Sequence, residues 1–323
     1  MSELEILERL RAQAALHRRS GVRLGIGDDC AVFGARAGED LLITTDLLVE
    51  GVHFERGSHP AAALGRKALA RALSDIAAMG GQARFCLVSL AAPKWADGRF
   101  LDGFFRGLLA LARRFRVTLA GGDLTRSERL ACDVVVCGAV ERGGALRRSG
   151  ARAGDVIYVS GVLGGSALGL RTRRGAAWRR HLEPEPRIGL GAFVRRRLGA
   201  TAAIDLSDGL ALDLHRLAKA SALAASLDSP LPVFPGASLE EALHGGEDYE
   251  LLFTAPPGVA VPSRHGGVPL SRIGVMRGGR PGALEFFGRP LAPRGWDPFV
   301  EIAKSGTVYS IPISRRAAAE DRR

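Results

Sequence analysis

The sequence predicts an α/β (α+β) fold in two domains, and three observations predict it. Strand-like apolar runs alternate with helix-period segments in both halves. A stretch rich in Gly, Arg and Ala, Arg142 to Gly154, interrupts that alternation near the middle. The length, 323 residues, is about twice the usual domain size of roughly 150. These place a first domain at 1–145, a second α/β domain at 146–312 and a frayed tail at 313–323.

Ser2 and Glu5 have capping-box spacing, and Leu4, Leu7, Leu10 and Ala14 follow at helical intervals. Leu41 to Leu48 reads as a buried strand. Pro60 opens a helix that runs to Met79 and ends at Gly80-Gly81. Arg84 to Ala91 is a strand, and the next helix carries Leu101, Phe104, Leu108, Leu111 and Phe115 on one face. A short strand, Val117 to Ala120, leads into Gly121-Gly122-Asp123, and Ala131 to Val140 is another strand. Beyond the break, Asp155 to Ser160 is a strand and Leu163 to Leu170 starts a helix. Ile204 to Asp208 ends a strand and turns into a helix through Leu217, with Ser207 or Asp208 as its cap. Glu250 to Thr254 is a strand; the Pro/Gly-rich remainder after Ala255 holds short strands at best.

Composition excludes several classes. With 46% hydrophobic and 24% charged residues, wholesale disorder is ruled out. The longest uncharged stretch, Val156 to Leu170, is interrupted by glycines and is shorter than the ~18 apolar residues a membrane span needs. The opening MSELEILERL is acidic and amphipathic, unlike a secretory signal. The net charge of +11 comes almost wholly from scattered arginines, with neither a basic aromatic stripe nor a reader motif, so no nucleic-acid partner is expected. Cys30, Cys86, Cys132 and Cys137 form no C-x-x-C pair and read as buried free thiols in a reducing, cytoplasmic setting.

Aspartates at the ends of apolar strands carry the chemistry: Asp28-Asp29 in GIGDDCAVF, Asp46 in LLITTDLL, Asp75 in ALSDIAAMGG, Asp123 in LAGGDLT, and Asp205 with Asp208 in AIDLSDGL. Each has an ordinary reading alone, as a turn or cap residue or, for Asp75, a pair with Arg71 at i−4. Together, in a net-basic chain, they point to a shared cation. Mg²⁺ takes carboxylate and hydroxyl oxygens alongside substrate phosphates, and Thr44 and Thr45 beside Asp46 would add oxygens. The glycines of GIGDD, LAGGD and SGVLGGS would let backbone N–H groups approach phosphate. Neither a G-x-x-x-x-G-K-[ST] loop, the protein-kinase set nor G-x-S-x-G is present, so any nucleotide is held in another way.

GIGDDCAVF, TTDLLVEGVHF, ALSDIAAMGG, LAGGDLTRS, RRSGARAGD, AIDLSDGLALDL and HGGEDYELLFT occur in this order. Over Gly25 to Trp296 the chain resembles the thiamine-monophosphate kinases, of the superfamily that includes aminoimidazole ribonucleotide synthetase. The resemblance implies a two-domain aminoimidazole ribonucleotide synthetase-like fold, homodimeric through a β-barrel to which both N-terminal domains contribute. It implies ATP as co-substrate, several Mg²⁺ ions, and direct in-line transfer of the γ-phosphoryl group to thiamine monophosphate, giving thiamine diphosphate. By motif, Asp29 (or Asp28), Thr44, Thr45, Asp46, Asp75, Asp123, Asp205 and Asp208 correspond to metal ligands. Gly122, Asp123, Arg148 and Ser207 correspond to nucleotide contacts, and His53, Glu247 and Trp296 to substrate contacts. Phe105 stands where many relatives carry a nucleotide-touching Tyr, and its place on the helix's apolar side favours packing. The acceptor is itself a phosphate, mostly dianionic at pH 7, so no catalytic base is nominated; Arg148 is expected to stabilise charge on the transferred group. The rival functions are the ring-closing sister enzyme and a non-catalytic nucleotide-binding module.

Overall fold

The computed structural model describes residues 10, 12–13, 20–24 and 32–297. Asp28, Asp29, Cys30, most of the N-terminal helix and the 313–323 tail lie outside the described residues. After the small antiparallel pair β1 (Val22–Leu24) and β2 (Val32–Phe33), the first half is a four-stranded sheet ordered β3-β6-β4-β5. Its strands are β3 (Glu39–Val49), β4 (Gln82–Ala92), β5 (Thr118–Arg126) and β6 (Ala131–Glu141). Two helices, α1 (Ala61–Ala78) and α2 (Gly98–Phe115), pack with it around one apolar core. Asp97 caps α2 by accepting from the Phe100 N–H at 2.9 Å, and Arg116 ends it in the left-handed region.

Two expectations for this half change. Leu41 to Leu48 is not buried on both faces: Leu42 and Leu48 enter the core, whereas Leu41, Ile43 and Leu47 are 41%, 71% and 50% exposed. The expected short strand before Gly121 runs on through Gly121-Gly122-Asp123 to Arg126, because it ladders in parallel with β4 as far as Ala92. Only glycine serves at position 122, where φ is +152° and a Cβ would stand 1.9 Å from the Val88 carbonyl oxygen.

The second half holds a sheet ordered β14-β13-β9-β12-β7-β10-β8, with β11 paired to β12. Its strands are β7 (Val156–Ser160), β8 (Ala202–Asp205), β9 (Ala224–Leu227), β10 (Leu251–Ala255), β11 (Arg264–His265), β12 (Val268–Arg277), β13 (Leu284–Phe286) and β14 (Arg289–Pro290). Helices α3 (Gly165–Thr172), α4 (Gly175–Leu182), α5 (Ile188–Leu198), α6 (Leu210–Ala220) and α7 (Leu239–His244) accompany it. The ten-residue β12 corrects the expectation of short strands after Ala255: its alternating apolar residues, broken by Arg272 and Gly274, pair with both β7 and β9. The expected cap of α6 is also corrected. Gly209 is the N-cap, and Asp213 inside the helix accepts the N–H groups of Asp208 and Gly209 at 3.0 and 3.1 Å. A third apolar cluster, including Ala77, Leu146, Val194 and Phe253, joins the halves where α1 meets α5 and β8. Among the described residues, no helix is long and apolar enough to cross a membrane.

Candidate active site

Strand alternation sorts the side chains of Thr44-Thr45-Asp46. Thr44 and Asp46 share the face of Leu42 and Leu48, which packs on α1. The Thr44 hydroxyl donates to Asp75 Oδ2 at 2.5 Å, and Arg71 Nη2 meets Asp46 Oδ1 at 2.7 Å. Thr45 points to the other face and donates to Asp133 Oδ1 at 2.5 Å. Opposite β3, Lys67, Arg71 and Asp75 follow at i, i+4 and i+8, a polar stripe along a helix that is otherwise almost wholly buried. Arg71 therefore does not take the expected i−4 pair with Asp75 as its ion pair; Asp46 holds it.

Asp205 ends β8, where β10 pairs with it and delivers the segment Gly245-Gly246-Glu247-Asp248-Tyr249-Glu250 alongside. Each side chain of that segment has its own partner. Glu247 reaches Lys67 Nζ at 3.0 Å. Asp248 accepts the Gly164 and Ser166 N–H groups at 2.6 and 3.1 Å, capping α3. Tyr249 hydrogen-bonds Arg71. Glu250, fully buried, receives Arg187 and Arg180 and the Ser160 hydroxyl. Glu247 and Tyr249 have φ of +64° and +49°, unfavourable for non-glycine residues, and the partners on either side fix that geometry.

The electrostatics are those of a site short of positive charge. Burial raises the Asp46 carboxyl to about 6 in spite of Arg71. Burial also raises Asp75, and it raises Asp205 well above the ordinary carboxylate range, with repulsion from Asp75 adding to the shift. Glu247 is the exception: burial would raise it, but Lys67, His181 and Arg71 hold it at about 2. His53, whose Nδ1 accepts the Val49 N–H at 3.0 Å, is lowered to about 4 by burial and then by Arg71.

Asp46, His53, Asp75, Asp205, Ser207, Asp208, Glu247 and Trp296 border one cavity of about 360 Å³. The Trp296 N–H donates to the Asp208 carbonyl at 2.9 Å, which ties the aromatic residue to the acidic turn. Thr44, Arg148, Asp75 and Asp205 border a second cavity of about 460 Å³. Asp75 and Asp205 thus belong to both. Asp208 pairs with Arg216. Gly122 and Asp123 stand apart from this group: β5 is the far edge of the sheet from β3, and Asp123 is exposed, accepting the Leu124 N–H at 2.9 Å. Phe105 lies in the first-half core against Phe104.

Sequence reasoning missed Lys67, Arg71, His181, Ser166 and Tyr249. Lys67 Nζ contacts His181 at 3.3 Å, and His181 Nδ1 contacts Ser166 Oγ at 3.0 Å, a buried chain behind Glu247. The four-residue spacing of Lys67, Arg71 and Asp75 was the available signal.

Two cavities separated by a carboxylate wall, between a four-stranded sheet and a larger mixed sheet, define a protein of the AIR synthase related class. Residues 27–140 match the model of the AIR synthase related protein, N-terminal domain. The thiamine-monophosphate kinase of Escherichia coli K12 is 41% identical over 282 residues, 80% of this chain and 85% of that protein. The crystal structure of thiamine-monophosphate kinase from Stenotrophomonas maltophilia superimposes with TM-score 0.79 at 36% identity, covering 90% of this chain and 98% of that one. AaThiL complexed with AMPPCP and TMP superimposes with TM-score 0.74 at 32% identity, covering 82% and 89%. The chain belongs to the thiamine-monophosphate kinase family.

Proposed function

We propose that the protein transfers the γ-phosphoryl group of ATP in line to the phosphate of thiamine monophosphate, giving thiamine diphosphate and ADP. The observation that carries this reading is the wall shared by the two cavities, Asp75 and Asp205. A donor nucleotide in the cavity of Arg148 and an acceptor in the cavity of His53, Glu247 and Trp296 would meet at that wall. The ionised Glu247 suits thiamine's cationic thiazolium ring, Trp296 offers it a flat face, and neutral His53 adds no charge. Arg148, on the wall of the donor cavity, would stabilise charge on the transferred group.

Two polyanions do not approach a carboxylate wall unaided; unit charges about 4 Å apart repel by roughly 4 kcal/mol at an effective dielectric near 20. The donor set fits Mg²⁺: oxygen only, with two mutually repelling carboxylates whose proton affinity is raised and a hydroxyl, Thr44, already on one of them. Among the described residues no three acidic, His or Cys side chains form a group that could hold a metal ion by themselves, so the reading requires substrate phosphates and Asp29 to complete the coordination. Bound Mg²⁺ would supply charge neutralisation and alignment of the two phosphates. Asp46, Asp75, Asp205, Asp208 and Thr44 would each contribute oxygens to one or another of several Mg²⁺ ions, with the substrate phosphates supplying the rest.

Thr45, Gly122 and Asp123 lie apart from the site of a single chain, and a homodimer would bring them to it. Closing two copies of the four-stranded sheet into one barrel joins the β3 edge of each to the β5 edge of the other. That would cover Leu41, Ile43 and Leu47 and bring the partner's Gly-Gly-Asp segment beside Thr44-Thr45-Asp46. We place the domain boundary at 145/146, and the reaction in the cytoplasm, where the buried, unpaired Cys86, Cys132 and Cys137 would stay reduced.

Phosphorus NMR of the protein with ATP, Mg²⁺ and thiamine monophosphate tests the reading. New diphosphate signals of thiamine diphosphate, appearing with ADP and abolished by EDTA, are expected. ATP left intact by folded, metal-loaded protein would defeat the reading.

A further inference from the structure

Arg71 belongs to none of the motif-derived ligand sets, yet it has an unusual position. It is 9% exposed, and among the described residues lining the 360 Å³ cavity it is the one Lys or Arg. The three histidines on the same wall, His53, His181 and His244, are all lowered by burial and so are neutral near pH 7. Lys67 is spent on Glu247 and does not line the cavity. The Arg71 guanidinium has five N–H donors in a planar fork, and only part of it is used: Nη2 reaches Asp46 and Tyr249 lies beside the group, whereas buried Nε and Nη1 have no hydrogen-bond partner among the described residues. An underused fork beside a cavity otherwise walled by carboxylates is matched to a phosphate, which takes two parallel N–H donors.

We propose that Arg71 binds the acceptor's phosphate monoester, exchanging Asp46 for that phosphate when a divalent cation takes over the aspartate. The inference rests on the acceptor reading above and names the residue that would recognise the acceptor's charge. The exchange strands no charge: Asp46 passes from the guanidinium to the metal, and the guanidinium passes from a carboxylate to a phosphate. Asp46 is thereby a placeholder that keeps the guanidinium beside the cavity before the substrates arrive.

Calorimetric titration of thiamine monophosphate and of unphosphorylated thiamine, with Mg²⁺ and without ATP, tests it. In the wild type the phosphate ester should bind at least tenfold tighter than thiamine. Arg71→Met should reduce that ratio at least tenfold while leaving thiamine affinity within about threefold, and Arg71→Lys should lie between. An unchanged ratio would mean that metal alone holds the phosphate, and an equal loss for both ligands would mean that Arg71 only shapes the pocket; either overturns the proposal. A second variant avoids removing a buried cation. Asp46→Asn frees the fork, so in EDTA it should bind thiamine monophosphate more tightly than the wild type, with thiamine unaffected. The gain should vanish in Asp46→Asn/Arg71→Met, and its persistence there would assign it to lost repulsion instead. Wild-type turnover by phosphorus NMR is read separately: its absence defeats the acceptor reading itself, whereas turnover with an unmoved ratio defeats the Arg71 proposal alone.

Discussion

Lys67 Nζ lies 3.0 Å from Glu247 Oε2, and none of the lysine side chain reaches solvent. The pair spans 180 positions of sequence and ties α1 to the segment before β10. Removing one member of a buried pair leaves the other charge uncompensated. Lys67→Met should therefore destabilise the fold by about 3 kcal/mol, the low end of the range, because Glu247 stays 23% exposed and near Arg71. Lys67→Met/Glu247→Gln should recover most of the loss. Glu247 sits at about 2 instead of its ordinary 4.5, so its contribution is complete above pH 4.5 and is lost as pH falls through 2. Denaturant titrations at pH 7 and pH 3 check both points: the stability gap between wild type and Lys67→Met should narrow at pH 3, and an unchanged gap would contradict the pairing.

Asp205 should show a conflict between stability and function. It is 4% exposed, raised well above its ordinary range by burial and then by Asp75, with only Ser74 and Arg148 favouring its charge. Asp205→Asn keeps the shape of the side chain and removes the repulsion. Without metal the variant should be more stable than wild type by about 1–2 kcal/mol. Wild type should gain about 2.7 kcal/mol at a Mg²⁺ concentration near 100 times Kd, and the variant should lose most of that gain together with turnover. Thermal melts in EDTA and in Mg²⁺ read this out. A variant that melts with the wild-type metal response would remove Asp205 from the metal site.

What the sequence disclosed and what it hid follow from one distinction. The aspartates were legible because a carboxylate set in an apolar run is conspicuous by composition alone, whether the run is a strand, as around Asp46, or a helix, as around Asp75. Their partners were not, because pairing depends on which elements the fold brings face to face. Arg71 illustrates this: helical spacing offered Asp75 as its partner, but α1 packs on the even-numbered face of β3 and presents Asp46 instead. The cap of α6 was misread for a related reason, since Asp213 reaches back from inside the helix and satisfies the N–H groups that Ser207 or Asp208 was expected to serve. The continuation of β5 past Ala120 was hidden by Gly121-Gly122, which looks like a turn although Gly122 is required by its close approach to β4.

His59 should carry a readable pH dependence. Its ring sits 5.4 Å from those of both Trp178 and His181, its Nδ1 contacts Ser58 Oγ at 2.7 Å, and its buried Nε2 has no partner. Burial, and then Lys67, lower it to about 3 from 6.5. The unfolded chain therefore takes the proton first, and the wild type loses stability from this group as pH falls from 6.5 towards 3. His59→Phe removes the group, so relative to wild type it should be about 2 kcal/mol better at pH 5 than at pH 8. The lost Ser58 contact affects both pH values alike and cancels in that difference. A pH-independent offset between the two proteins would show that His59 titrates normally.

The split of the proposed metal-ligand set between two sheet edges leads to a test by subunit mixing. Asp46 stands on β3 and Asp123 on β5, the opposite edges of the four-stranded sheet, and Asp46 faces α1 while Asp123 is exposed. If each site draws Asp46 from one copy and Asp123 from the other, Asp46→Asn and Asp123→Asn homodimers should both be inactive. A mixed dimer then gathers both lesions into one site and leaves the second site intact. Random reassociation of equal amounts makes half the dimers mixed, so activity should return to about a quarter of wild type. Recovery is measured after dissociation and remixing. If Asp123 instead serves its own chain, every site in the mixture carries one lesion and no activity returns. Ile43→Asp supplies the control, because Ile43 is 71% exposed in a single chain and a charge there costs the monomer little. In a closed barrel the same charge is buried, so this variant should sediment as a folded monomer with little turnover, and adding it to either aspartate variant should rescue nothing.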